Sequence, residues 1–275
     1  MVPPGVRGAH PGSSDHLPGF DPQEIHLWFA FPDEIQDCSI LADCYELMSG
    51  DEKRRLDQLR SADRRHRYLL SRALVRRVLS RYTGTPAPEL AFSVNEYGRP
   101  ELVSPQGTRA LRFNLSHTEG LIVLGVVLHQ DIGVDVENIE RRRVSVAHAD
   151  RFFTREEARD LHGRGEGDRQ ARFFDYWTLK ESYMKAKGRG LSIGPNQLAF
   201  RIADGEPLGV VFSPRLNDVS DLWQFCLLKP TEIHRAAVCV RRHETSGAFR
   251  IRLRSLMPHD GEGAYDCPII CCTER

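Results

Sequence analysis

Asp135 and Glu137 stand two residues apart in the stretch DIGVDVE, residues 131–137. Ile132, Val134 and Val136 alternate there with Gly133, Asp135 and Glu137, a period-two pattern that predicts a strand with both carboxylates on one face. Like charges side by side repel unless a cation lies between them, so the pair points to a metal. Hard oxygen ligands without histidine or cysteine favour Mg2+ or Mn2+ over Zn2+. By itself an Asp-x-Glu pair is a weak signal. A second set lies in FDYWTLKESYMKAKGRGL, residues 174–191, where Trp177, Glu181 and Lys185 recur every four positions on one side of a predicted helix. Gly188 and Gly190 supply its stop. Alone, these three read as a packed aromatic and a surface ion pair. His117 is the third chemical signal. It falls in a predicted polar turn, Asn114 to Glu119, between strands, where sites tend to be built.

These residues need elements to hold them. A half-buried strand is predicted from Glu24, where Ile25, Leu27 and Phe29 alternate with His26, Trp28 and Ala30. A short helix over Cys38 to Met48 and a charged segment, DEKRRLDQL, follow. Ala62 to Tyr82 is predicted as a long helix, with Leu70, Leu74, Val75, Val78, Leu79 and Tyr82 on its apolar stripe. Its other side carries Arg64, Arg65, Arg67, Arg72, Arg76, Arg77 and Arg81, read as a solvated face. One or two arginines near its start suit a phosphate instead. AFSVNEYGRPEL turns at Tyr97 to Pro100, with Arg99 inside the turn. RFFTREEARDL predicts a helix start with Thr154 as N-cap and Glu157 at the capping-box position. Strand-like stretches follow residue 191, and residues 257–275 have no periodicity.

Composition bounds the function. The chain has 275 residues and equal numbers of basic and acidic residues, 38 each, so it has no long-range pull on polyanions and is expected not to bind nucleic acid. No apolar run approaches the roughly 20 residues of a membrane span, and the N-terminus lacks signal-peptide regions; a soluble, cytoplasmic protein is expected. The seven cysteines are odd in number and scattered, as free thiols in a reducing compartment would be. Cys267, Cys271 and Cys272 lack paired zinc spacing.

Three segments resemble the 4'-phosphopantetheinyl transferases, in the larger surfactin-type class: FNLSH at 113–117, GVDVE at 133–137 and WTLKESYMK at 177–185, in matching order and separation. The resemblance runs from about Ile25 to about Arg254. It implies an α+β fold in which two similar halves form an intramolecular pseudo-dimer with the site between them. The expected divisions are a disordered tail over 1–22, an N-terminal half over 23–137, a C-terminal half over 138–256 and an irregular tail over 257–275. The family moves the phosphopantetheine arm of coenzyme A onto a serine of an apo acyl or peptidyl carrier protein. The resemblance makes Asp135, Glu137 and Glu181 the ligands of Mg2+, and Lys185, helped by Lys180, a contact to the phosphates. Arg99, Ser116 and His117 would line the coenzyme A site, with His117 at the 3'-phosphate. Arg67 and Lys53 fall where the family also grips that phosphate, although Leu56 stands where a second basic residue is often found. Glu157 corresponds to a carboxylate proposed as general base, in competition with its capping use. Action as a monomer, without membrane or nucleic acid, is expected. The rival readings are a Mg2+-dependent phosphohydrolase or nuclease, since Asp-x-Glu with a distant Glu and Lys also suits metal-assisted hydrolysis, and a non-catalytic carrier-binding module.

Overall fold

The computed structural model describes residues 20–103, 111–141, 146–242, 247–257 and 261–274. Most of the expected 1–22 tail therefore lies outside the described residues. Its last part does not match the expectation, because Phe20 is buried and stacks on His26.

In chain order the regular elements are β1 (Glu24–Ala30), α1 (Cys38–Glu46), α2 (Gly50–Gln58), α3 (Ala62–Thr83), β2 (Ala91–Val94), β3 (Pro100–Val103), β4 (Leu111–Thr118), β5 (Leu121–Leu128), β6 (Ile132–Asn138), α4 (Val146–Phe152), α5 (Arg155–His162), α6 (Glu166–Ala186), β7 (Leu198–Arg201), β8 (Gly209–Phe212), β9 (Trp223–Leu228), β10 (His234–Arg241), β11 (Arg250–Met257), β12 (Gly261–Ala264) and β13 (Ile269–Cys272). The fold is α+β. The charged DEKRRLDQL segment is a helix, α2, because Ser49 and Glu52 close a capping box at its start.

One sheet has the order β12-β11-β1-β5-β4 and a second the order β13-β9-β10-β6. Ile25, Leu27 and Phe29 of β1 pack with Ile132, Val134 and Val136 of β6 and with Val238 of β10 in a core between the sheets. The outer face of the first sheet carries α3, whose Leu70, Leu74, Val75, Val78, Leu79 and Tyr82 are all buried as the stripe predicts. The outer face of the second carries α6. Two-stranded ribbons, β2-β3 and β7-β8, complete the layers. No helix among the described residues is long and apolar enough to cross a membrane.

The strands do not divide at residue 137. β6 pairs with β10, and β11 returns from near the C-terminus to pair in parallel with β1, so a cut between 137 and 138 would separate β6 from its own sheet. The stretch expected to be irregular from Met257 contributes β12 and β13 as edge strands. Edge strands are half solvated and need little apolar periodicity, which is why the sequence hid them. The expectation of free thiols is also corrected. Cys226 of β9 and Cys272 of β13 lie opposite one another and form a disulfide, while Cys38, Cys44, Cys239, Cys267 and Cys271 are free.

Candidate active site at the seam between the sheets

β4 and β6 are the facing edges of the two sheets, and side chains rather than backbone close the gap. Asn114 Oδ1 accepts the Val134 N–H (2.9 Å), Ser116 Oγ the Val136 N–H (3.3 Å) and Thr118 Oγ1 the Asn138 N–H (3.3 Å). The two-residue pitch requires β4 to be extended through this run, so Asn114–Thr118 is strand and not the expected polar turn. Only Glu119 and Gly120 turn. Polar residues read as loop from sequence, yet here they satisfy an edge that would otherwise be bare.

Gly133 sets the distance between β6 and α6. A Cβ there would stand 1.9 Å from the Ser182 carbonyl oxygen and 2.5 Å from the Ala186 nitrogen, so strand and helix touch backbone to backbone. The same face of β6 carries Asp135 and Glu137, as predicted, and it meets the stripe of α6 carrying Glu181 and Lys185. Trp177, farther back, is half-buried against Phe152 and Phe173 and keeps a packing role.

Asp135 is buried. Its Oδ1 accepts Ser116 Oγ (3.0 Å) and Lys185 Nζ (2.6 Å), and Lys185 also donates to Ser116 Oγ (2.9 Å). Asp135 Oδ2 is buried with no hydrogen-bond partner among the described residues. Burial and the Asp135 charge push the Glu137 carboxyl up to about 7, and the same two causes push Glu181 up to about 7, with Lys185 opposing. The four groups thus act on one another as a strained acidic cluster with one internal cation. No group of three or more His, Cys, Asp or Glu side chains among the described residues is gathered tightly enough to hold a metal ion; the ammonium of Lys185 is the positive charge on Asp135.

His117 projects from the opposite face of β4, with Phe113 and Leu115, toward α3. His117 is exposed, yet the desolvation imposed by its neighbours lowers its pKa, and so do the cations Arg67, Lys185 and Arg72. A polar cleft of about 610 Å³ opens beside the start of α3, lined among others by Ser61, Arg64, Arg67, Gly120 and Arg141.

The other expected site residues are held elsewhere. Lys53 donates to Glu46 (3.2 Å) and lies over the Tyr45 ring. Leu56 is buried, which explains an apolar residue where the family often has a basic one. Arg99 binds the carbonyl of Ala186 (2.7 Å). Glu157 and Lys180 form a 2.8 Å ion pair whose side chains are both 0% exposed. Glu157 also accepts from Thr154 N and Oγ1 through Oε2 and from Phe200 N through Oε1. Lys180 donates in addition to the Pro195 and Leu198 carbonyls. Both side chains are sealed in this pair, which argues against the general-base role expected of Glu157 and the phosphate role expected of Lys180. Arg72 was missed. It looked like one more arginine on a solvated face, yet its Nε is buried without a hydrogen-bond partner among the described residues and Tyr68 lies beneath its guanidinium. The signal was its position one helical turn after Tyr68 and five residues after Arg67.

The sequence profile of the 4'-phosphopantetheinyl transferase superfamily matches residues 131–239, and that of the 4'-phosphopantetheinyl transferase N-terminal region matches residues 38–128. The 4'-phosphopantetheinyl transferase HetI of Nostoc sp. is 30% identical over 217 residues, covering 79% of this chain and 87% of that protein. The chain belongs to the 4'-phosphopantetheinyl transferase family. Two further 4'-phosphopantetheinyl transferases are similar, both from Bacillus subtilis: ffp, 30% identical and covering 71% of this chain and 88% of its own length, and Sfp, 30% identical and covering 63% and 73%. The profile boundary between 128 and 131 falls at the turn before β6, where the second sheet begins.

Proposed function

We propose that the chain transfers the 4'-phosphopantetheine moiety of coenzyme A to a serine of an apo acyl or peptidyl carrier protein and releases adenosine 3',5'-bisphosphate. The observation that carries this reading is the convergence, at one seam, of the acidic cluster Asp135, Glu137 and Glu181 with Lys185, and of His117 with Arg67 on the adjoining face. One group suits a cation and a pyrophosphate, the other a phosphate monoester. The repetition of one long helix and one two-stranded ribbon on each sheet supports reading the chain as a pseudo-dimer with its site between the halves.

In donor chemistry the set suits Mg2+, with Mn2+ as the alternative: three carboxylates, one with a buried oxygen unpartnered among the described residues, and no soft ligand, although Lys185 sits on Asp135 and the three are not gathered around one point. Asp135, Glu137 and Glu181 would hold the ion, which when bound neutralises charge on the pyrophosphate as the anhydride breaks. The serine hydroxyl oxygen attacks the phosphorus that bears the pantetheine arm and gives up its proton to solvent water at the seam. The P–O bond to the nucleotide's 5'-phosphate then breaks, and that phosphate leaves with the pair of electrons. Lys185, exchanging Asp135 for the phosphates, offsets the charge that develops on the leaving oxygen. His117 and Arg67 hold the 3'-phosphate and fix the nucleotide, while Ser116 orients Asp135 and Lys185. We keep the expected cytoplasmic location and monomeric action as part of this reading.

The test is to incubate the protein with coenzyme A, Mg2+ and apo carrier proteins and to weigh the carriers. No gain of the phosphopantetheine mass across several carriers overturns the proposal. Release of phosphate or nucleotide without any carrier would indicate the hydrolase instead. Asp135→Ala and Glu181→Ala are each expected to abolish transfer, and near-wild-type activity in both would remove the metal assignment.

A further inference from the structure

Family resemblance puts Arg99 against the coenzyme, but its atoms are engaged elsewhere. The side chain is 8% exposed. Nη1 donates to the Ala186 carbonyl (2.7 Å), Nη2 lies 3.5 Å from the Ile132 carbonyl, and Asp131 stands 3.6 Å away. Nε is buried with no partner among the described residues. Asn95, across the same turn, accepts the Arg99 N–H through Oδ1 (2.9 Å) and donates through Nδ2 to the Gly188 carbonyl (3.1 Å). Together the two residues bind carbonyls of Ala186 and Gly188 at the C-terminal end of α6, where a helix leaves its last carbonyls without intrahelical partners.

The turn and the helix end are in close contact. Gly188 has φ +66°, and a Cβ there would meet Asn95 Nδ2 at 3.0 Å and Arg99 Cδ at 3.3 Å. Lys185 is the residue before Ala186, and Ile132 opens the strand that carries Asp135. Arg99 therefore joins the two elements whose side chains meet in the Lys185–Asp135 contact. Burial is the main cause lowering its pKa, so the guanidinium is retained at an energetic cost that a solvent-facing ligand contact would not require.

We propose that Arg99 is a positioning residue: it locks the last turn of α6 onto the start of β6 and so sets Lys185 for the reaction, without touching coenzyme A. This rests on the transferase reading.

The experiment compares wild type, Arg99→Gln, Arg99→Lys, Lys185→Gln and the double variant Arg99→Gln/Lys185→Gln. Melting temperatures are measured first, and the assays run below them. Readouts are kcat, KM for coenzyme A, and Kd for adenosine 3',5'-bisphosphate by calorimetry. A wild type without transfer defeats the functional reading itself; the outcomes that follow apply to an active wild type. Arg99→Gln is expected to lower kcat by about 10- to 100-fold, the scale of a small misplacement of a reacting group, with KM and Kd close to wild type. Arg99→Lys should recover part of kcat, because one donor still reaches the Ala186 carbonyl. In the Lys185→Gln background the Arg99 change should have almost no further effect, since residues acting as a unit are not additive. A rise in KM and Kd at constant kcat would mean that Arg99 touches the coenzyme, and would overturn the proposal. So would an unchanged kcat, or a full multiplicative loss in the double variant. Should Arg99→Gln not fold, Asn95→Ala loosens the same clamp and must lower kcat in the same way.

Discussion

The Glu157–Lys180 pair separates a structural carboxylate from a catalytic one. Lys180 has three N–H groups and three acceptors: Glu157, the Pro195 carbonyl and the Leu198 carbonyl. Glu157 uses both oxygens, on Thr154, Lys180 and the Phe200 N–H. Burial lowers the Lys180 pKa and Glu157 opposes this, so the ammonium depends on its partner. Glu157→Gln leaves that charge buried without a counterion, which costs about 3–5 kcal/mol. At about 2–4 °C per kcal/mol for a chain of this size, the melting temperature should fall by roughly 6–20 °C. Replacing both partners, as Glu157→Gln with Lys180→Met, removes the stranded charge, and most of the loss should return. Transfer per folded molecule, measured in the cold with the folded fraction taken from circular dichroism, should stay within a few-fold of wild type in the double variant. A general base contributes about 100- to 10,000-fold. A Glu157→Gln protein that melts like wild type and has lost that much kcat would refute the assignment of Glu157 to the core.

The remaining predictions concern the seam. Burial and the Asp135 charge push Glu137 and Glu181 up to about 7 from an ordinary 4.5, so the folded state holds protons that the unfolded chain releases. Their contribution to stability is therefore present below about pH 4.5 and lost as pH rises through about 7. A shift of this size on one carboxyl is worth at most about 3 kcal/mol, less for partial solvent contact. Mg2+ should raise the melting temperature at pH 8 and do little at pH 5.5; an equal effect at both would remove these carboxyls from the metal site. Gly133→Ala has no room beside Ser182 and Ala186, and should destabilise the fold by about 3 kcal/mol or more, read by urea unfolding; a wild-type midpoint would show that α6 does not rest on β6. Arg72→Gln should raise KM for coenzyme A by about 10-fold, a loss of about 1.4 kcal/mol of binding, while leaving KM for dephospho-coenzyme A unchanged. Equal changes for both substrates would place Arg72 away from the 3'-phosphate.

What the sequence made legible was local. The alternation around Asp135 and Glu137, the apolar stripe of α3 and the Thr154–Glu157 cap follow from periods and spacings within one element, and each reappears in the structure. What it hid depends on partners far along the chain. Asn114, Ser116 and Thr118 look like turn residues until β6 is placed beside them. Cys226 and Cys272 are 46 residues apart and meet only because β13 pairs with β9. Arg72 and Arg76 look like solvated charges, yet Arg76 is buried and paired with Glu52, because long aliphatic stems let Arg reach far from its backbone. Family resemblance supplied roles for Glu157, Lys180 and Arg99, and the structure gives each side chain partners within the protein that the motif alone does not reveal.

The parallel pairing of β11 with β1 has a consequence for biosynthesis. β1 lies near the start of the chain and its neighbour β11 near the end, so during translation the first sheet lacks its inner strand until about residue 257 has left the ribosome. The edge of β1 is meanwhile available to any other extended peptide, including a second nascent copy. A growing chain thus contains every residue proposed for the site, from Arg67 to Lys185, some seventy residues before the framework that aligns them can close. Appearance of activity in a timed cell-free synthesis should lag the synthesis of Lys185 and follow the emergence of β11 from the ribosome.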